Sequence, residues 1–204
     1  RLREFQDGLT SGNKDAIQAA YQHEHLRQRR LTPGNLMGFV RRSFISRRKR
    51  FYLAPSRFQR IPHLMRFKLR ERYCLRHLAR QFPERPYVYF PLSMIPEAST
   101  LIRGQRFYDQ LSTIKSLSLE LPVDWVLLVR EHPSSIGTNP IGFYREAARI
   151  FNVRVVSPAL DPTECIRRSQ AVVTISGTTG MEALVLGKKT VVLGSAIYSQ
   201  IDSV

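Results

Sequence analysis

Between residues 87 and 193 the chain changes hydrophobic period again and again, and this alternation most constrains its fold. Residues 87–90 (Tyr-Val-Tyr-Phe) form a short aromatic and β-branched run, as strands favour. Residues 104–121 read as a helix. Residues 125–129 (Trp-Val-Leu-Leu-Val) are continuously apolar, the pattern of a strand covered on both faces. A helix over 141–150 and a strand over 153–156 follow. Asp161-Pro162-Thr163-Glu164 then opens another helix, with Asp161 as cap, Pro162 in the first turn and Glu164 three residues after the cap. Residues 171–175 read as a strand. Ser176-Gly177-Thr178-Thr179-Gly180 turns into a helix that Gly187 can end in a left-handed conformation, and 190–193 is the last strand. Strands that alternate with helices cannot pair as hairpins. The expected fold class is therefore α/β: a Rossmann-like parallel sheet with helices on both faces.

The first part of the chain has a different character. Residues 1–85 carry 21 Lys and Arg against 6 Asp and Glu, whereas the remainder is nearly balanced, so almost all of the net charge of +16 sits there. Helices are expected over 13–30 and from about 62 to 80, broken by Thr32-Pro33-Gly34, Pro55 and the closing Pro83 and Pro86. The division read from the sequence is a basic helical region over 1–85, the end of a preceding domain or a linker, followed by a Rossmann-like domain over 86–204. Arg1 rather than Met opens the chain and no stop signal follows its last apolar residues. The expectation is a piece of a longer protein, with the second domain cut short. Clustered arginines favour an anionic partner for residues 27–80, and an anionic membrane surface fits. No stretch approaches the roughly 20 apolar residues of a membrane span. Cys74 and Cys165 have neither CxxC nor metal-ligand spacing and read as free thiols.

In sheets of this kind a ligand sits beyond the carboxyl ends of the strands. Three turns fall there: residues 91–97 after the first strand, Arg130-Glu131-His132-Pro133 after the second, and the Ser176–Gly180 turn followed by Glu182. In the last, small residues let a ligand approach the backbone, helix-opening N–H groups offer donors to an anion, and Ser176, Thr178 and Thr179 add hydroxyls. The turn lacks the lysine of a P-loop, so it is a phosphate cradle of another kind. Glu182, one turn on, can accept from ribose hydroxyls. The bland alternatives are a helix cap and a solvated carboxylate. An imidazole at the end of a buried strand, His132, can donate to a phosphate or act as an acid, and Pro133 stiffens the backbone behind it. Glu97, after Pro96, can serve as a base or a substrate clamp. No Asp-x-Asp pair or His/Cys grouping calls for a metal.

Taken in order, Tyr-Phe-Pro-Leu-x-x-x-Pro-Glu-Ala-Ser-Thr (89–100), Val-Arg-Glu-His-Pro (129–133) and Thr-Ile-Ser-Gly-Thr-Thr-Gly-x-Glu-Ala-Leu (174–184) resemble the capsule polysaccharide biosynthesis and export family over about residues 87–195. That family includes β-Kdo transferases, which use CMP-Kdo and have the two-domain GT-B fold. The resemblance implies the carboxy-terminal nucleotide-binding half of such a glycosyltransferase. It implies that His132 and Pro133 hold the donor phosphate and that Ser176, Gly177, Thr178 and Thr179, with Glu182, contact the same nucleotide. It further implies that Glu97 acts beside the donor sugar, with Glu97 and His132 as the catalytic candidates. Ile95 stands where the family has Gln, and no counterpart of the catalytic carboxylate on the other domain is visible. The expected donor is a nucleotide sugar, CMP-Kdo first, with no tightly bound cofactor. The expected acceptor is a glycan or glycolipid, and the expected location is cytoplasmic, peripheral at the inner face of the plasma membrane.

Two rival readings follow from the same residues. One is another GT-B-like enzyme, such as a CDP-glycerol glycerophosphotransferase or a UDP-sugar enzyme, because these also surround a nucleotide with a His and a Ser/Thr-rich turn. The other is a non-catalytic basic module binding RNA or a membrane. Nucleic acid is the weaker partner of the two, because the aromatic residues form no stacking platform.

Overall fold

The computed structural model describes residues 57–94 and 104–200. Among the described residues five strands form one sheet: β1 (Tyr87–Pro91), β2 (Val126–Arg130), β3 (Val153–Val156), β4 (Ala171–Thr174) and β5 (Lys189–Val192). Their order is β3-β2-β1-β4-β5 and every pairing is parallel, as the alternation predicts. The helices are α1 (Arg57–His77), α2 (Gln110–Leu119), α3 (Ile141–Arg149), α4 (Pro162–Arg168) and α5 (Thr179–Val185).

Side chains of a strand point alternately to its two faces, and the core divides accordingly. On one face Val88, Phe90, Leu127, Val129, Val153, Val155, Val173 and Ile175 pack with Ile114 of α2, Tyr144 and Ala147 of α3, and Cys74 of α1. On the other, Tyr87, Tyr89, Val126, Leu128, Val156 and Val172 meet Cys165 and Ile166 of α4 and Ala183 of α5. Because helices cover both faces, β2 is buried at all five positions, which explains its unbroken apolar run. The chain beyond α1 covers the outer edge of β3: the Ala79 N–H donates to the Val155 carbonyl (3.2 Å), and the Ser157 N–H to that of Ala79 (2.8 Å).

Local signals fix several helix ends. Asp161 accepts from the Glu164 N–H at 2.7 Å, with Pro162 as the first residue of α4. Gly187, at φ +69°, ends α5 in a Schellman turn: its N–H donates to Leu184, and that of Lys188 to Ala183. Two expectations shift. The helix foreseen over 104–121 is a 3₁₀ turn (Gln105–Phe107) followed by α2, because the Asp109 carboxylate accepts from the Leu111 and Ser112 N–H groups and restarts the helix there. The helix expected from about residue 62 begins at Arg57, so Pro62 falls inside α1 and costs it one backbone bond. The helix expected over 13–30 lies outside the described residues.

The strand order reverses at β1. The chain runs outward from β1 through β2 to β3, then returns to place β4 on the other side of β1. A reversal of this kind opens a crevice at the carboxyl ends of the strands.

Candidate functional site

Three turns leave that carboxyl edge from adjacent strands. Since β1 lies between β2 and β4, the turns after β2 and β4 flank the end of β1, about 10 Å apart at strand spacing. Pro91 pairs with Arg130, and the Leu92 N–H donates to the Arg130 carbonyl at 2.9 Å, so β1 and β2 end level with each other.

After β1 the backbone is held by Gln110. Its side-chain amide accepts from the Ser93 N–H (2.8 Å) and donates to the Ser93 carbonyl (3.0 Å), as a neighbouring strand would. Gln110 is almost fully buried. Nothing at its position, next to the Asp109 cap, marked it in the sequence. Glu97 lies outside the described residues, as do Ile95 and Pro96.

After β2 the Arg130 side chain turns inward and donates to the carbonyls of Leu160 (2.9 Å) and Pro158 (2.8 Å), which ties β2 to the loop before α4. Glu131 has no solvent exposure. One of its oxygens accepts from the His132 N–H at 2.8 Å, and the other from Asn139 Nδ2 at 3.1 Å and from the Tyr144 hydroxyl. Burial pushes its carboxyl above the usual range, against the pull of those three donors. His132 and Pro133 are half-buried where the chain leaves the sheet, and Pro133–Ser135 form a 3₁₀ turn. Gly137, at φ +84°, then brings the loop against α1: a Cβ there would sit 2.8 Å from the Phe67 carbonyl oxygen. Arg70 of α1 donates to the Thr138 carbonyl at 3.0 Å.

After β4 the Thr174 hydroxyl accepts from the Gly177 N–H at 3.3 Å and shapes the bend. Ser176 is buried, Gly177 and Thr179 are half-buried, and Thr178 is exposed. Thr178 occupies the cap position of α5 with helical backbone angles, and its side chain makes no capping bond, so capping does not account for its hydroxyl. Glu182 is half-buried on the first turn. Tyr198 closes the turn from beyond β5. Its hydroxyl donates to the Gly177 carbonyl, and a Cβ on Gly180 would meet the same hydroxyl oxygen at 2.5 Å. Burial and the nearby Glu182 raise the Tyr198 phenol. Sequence reasoning missed Tyr198, because only the fold brings it beside a turn some twenty residues earlier.

His132, Pro133, Ser176, Gly177, Thr178, Thr179 and Glu182 thus share one edge of the sheet. A groove of about 550 Å³ lies at the opposite, amino edge, between Phe82, Arg85, Val126, Phe151, Val153 and Arg154. Among the described residues no three His, Cys, Asp or Glu side chains converge as a metal site, and both cysteines are free and buried. Burial raises both thiols, that of Cys165 to about 12. No helix among the described residues is long and apolar enough to cross a membrane.

An all-parallel layer, reversed at β1, with a His-Pro turn and a Ser/Thr turn on either side of the reversal, defines a Rossmann-like α/β domain. Residues 83–201 match the family model described as capsule polysaccharide biosynthesis protein, and the chain belongs to that family. No curated protein matches it. Similar solved structures include two from Thermosulfurimonas dismutans. One is KpsC, beta Kdo 2,7 transferase (17% identity, TM-score 0.48, covering 70% of this chain and 44% of that one). Another is KpsC, beta Kdo 2,4 transferase (20% identity, TM-score 0.47, covering 73% and 49%). A third is an S. aureus MnaA-UDP co-structure (17% identity, TM-score 0.37, covering 64% and 33%). The chain spans less than half the length of each.

Proposed function

We propose that this chain is the nucleotide-sugar-binding half of a glycosyltransferase of capsule polysaccharide biosynthesis. It takes a Kdo-like sugar from CMP and passes it to a glycan or glycolipid acceptor. The observation that carries this reading is the meeting of the His132-Pro133 turn and the Ser176–Thr179 turn on either side of β1, within the residues that match the family.

In transfer, the bond between the anomeric carbon and the phosphate oxygen breaks, and negative charge grows on the departing CMP. The His132 imidazole, the hydroxyls of Thr178 and Thr179 and the backbone N–H groups opening α5 are donors that stabilise that charge. Glu182 accepts from the ribose. The acceptor hydroxyl forms the new bond and gives its proton to a carboxylate, a role for which Glu97 is the candidate within this chain. The basic surplus of residues 27–80 fits an anionic membrane surface. On α1, Met65 and Leu69 are exposed one turn apart beside Arg66, Arg72 and Arg76, an arrangement suited to a headgroup layer.

Calorimetric titration with CMP, UDP, CDP and ADP tests the site on the wild type and on His132→Ala. The expected result is binding of CMP before the others, weakened but still measurable in His132→Ala. Preference for UDP or CDP would keep the enzyme class and change the donor. A folded chain that binds none of the four would sink the nucleotide-site reading.

A further inference from the structure

Glu131 is a carboxylate where the physics of burial argues against one. Removing a charge from water costs several kcal/mol unless strong partners replace the water. Its neighbour Arg130 directs its guanidinium to the carbonyls of Leu160 and Pro158, and the hydrogen-bond donors to Glu131, the His132 N–H, Asn139 and Tyr144, are neutral. An apolar residue of similar size would fill the space at less cost. What the carboxylate supplies is a set of directions.

One oxygen closes a short ring with the N–H of the very next residue, His132, at 2.8 Å. That bond fixes the peptide between them, and with it the direction in which the imidazole leaves the end of β2. The other oxygen holds Asn139, at the far end of the loop, and Tyr144, one turn into α3. A single side chain therefore ties the start of the loop, its end and the helix that follows. Tyr144 is itself set in the core against Tyr73 of α1, with ring centroids 6.4 Å apart. The loop cannot drift on its far side, because Gly137 abuts the α1 backbone.

We infer that Glu131 is a positioning residue: its buried carboxylate sets the backbone and imidazole of His132 for the anionic ligand, through the His132 N–H. The inference rests on the reading of His132 as a phosphate donor, and its test is built so that the two can fail separately.

The experiment compares wild type, Glu131→Gln, Tyr144→Phe, His132→Ala and the Glu131→Gln/His132→Ala double variant in the full chain. One readout is CMP affinity by calorimetry, and the other is the ¹H–¹⁵N signal of the His132 amide. A carboxylate acceptor makes a bond roughly twice as strong as a neutral amide does, so Glu131→Gln should move the His132 amide proton upfield and weaken CMP about tenfold. Tyr144→Phe removes one donor from the other oxygen and should shift the same amide by less. In the His132→Ala background, Glu131→Gln should cost no further affinity, because its effect runs through the missing imidazole. An unmoved His132 amide, or losses that multiply in the double variant, would overturn the inference. If Glu131→Gln does not fold, Tyr144→Phe carries the same two readouts. If the wild type binds no CMP, the donor-site reading fails, and the ligand-free amide signal alone decides whether Glu131 orders His132.

Discussion

Three glycines differ in what their missing side chains permit, and substituting each by alanine separates backbone strain from packing. Gly142, the second residue of α3, has ordinary helical geometry and, among the described residues, nothing within 4 Å of an added Cβ. Gly142→Ala should raise stability by up to about 1 kcal/mol, the helix-propensity gap between the two residues. Gly187 sits at φ +69°, again with nothing within 4 Å of an added Cβ among the described residues. Gly187→Ala should therefore cost only the left-handed penalty of roughly 1–2 kcal/mol. Gly137 carries both burdens. Its φ is +84°, and an added Cβ would lie 2.8 Å from the Phe67 carbonyl oxygen, 3.3 Å from the Glu71 nitrogen and 3.3 Å from the Phe67 ring. The closest atom belongs to the backbone of α1 and cannot swing aside as a side chain can. An overpacking cost of about 1–3 kcal/mol adds to the strain, for a total of about 2–5 kcal/mol. Urea unfolding of the four proteins reads these differences directly. At about 3 °C per kcal/mol for a chain of this size, Gly137→Ala should also lower Tm by roughly 6–15 °C. Because the clash pushes α1 away from the loop that bears His132, the same variant should weaken CMP. Equal losses for Gly137→Ala and Gly187→Ala, within about 0.5 kcal/mol, would refute the claim that α1 braces this loop by close contact.

Other consequences follow from single side chains. Hydrogen bonds from the Ser112 hydroxyl and backbone hold the Asp109 carboxyl below its ordinary value of 3.8. Its capping contribution is then complete above that value and lost as pH falls through the lower folded one. Asp109→Ala should cost about 1 kcal/mol at pH 7, and the gap to wild type should close in acid unfolding curves below that range; a gap independent of pH would refute the cap. The Tyr89 hydroxyl is fully buried on β1 with no hydrogen-bond partner among the described residues, and burial raises its phenol. Tyr89→Phe should be neutral or stabilising by up to about 1 kcal/mol in urea unfolding, whereas a loss beyond about 1 kcal/mol would mean that the hydroxyl is bonded to Arg130.

The sequence by itself determined the layer. Apolar runs such as residues 125–129, separated by helix-length stretches, leave only a parallel sheet covered on both faces. Asp161 and Gly187 announced the ends of α4 and α5 because capping is a local matter of neighbouring donors and backbone angles. The candidate turns were legible for the same reason: whatever the order of the strands, a residue just after a strand lies at the carboxyl edge. The restart of α2 was written in Asp109 and went unread, since the apolar pattern runs through it without a break. Which strands are neighbours was a different kind of fact. It arises from packing between segments distant in sequence, and only the tertiary structure placed β1 between β2 and β4 and so set His132 and Ser176 about its end. The same holds for the side chains that shape these turns. Gln110 on Ser93, Tyr144 on Glu131, Tyr198 on Gly177 and the α1 backbone against Gly137 all act across the fold, where no local spacing of residue types records them.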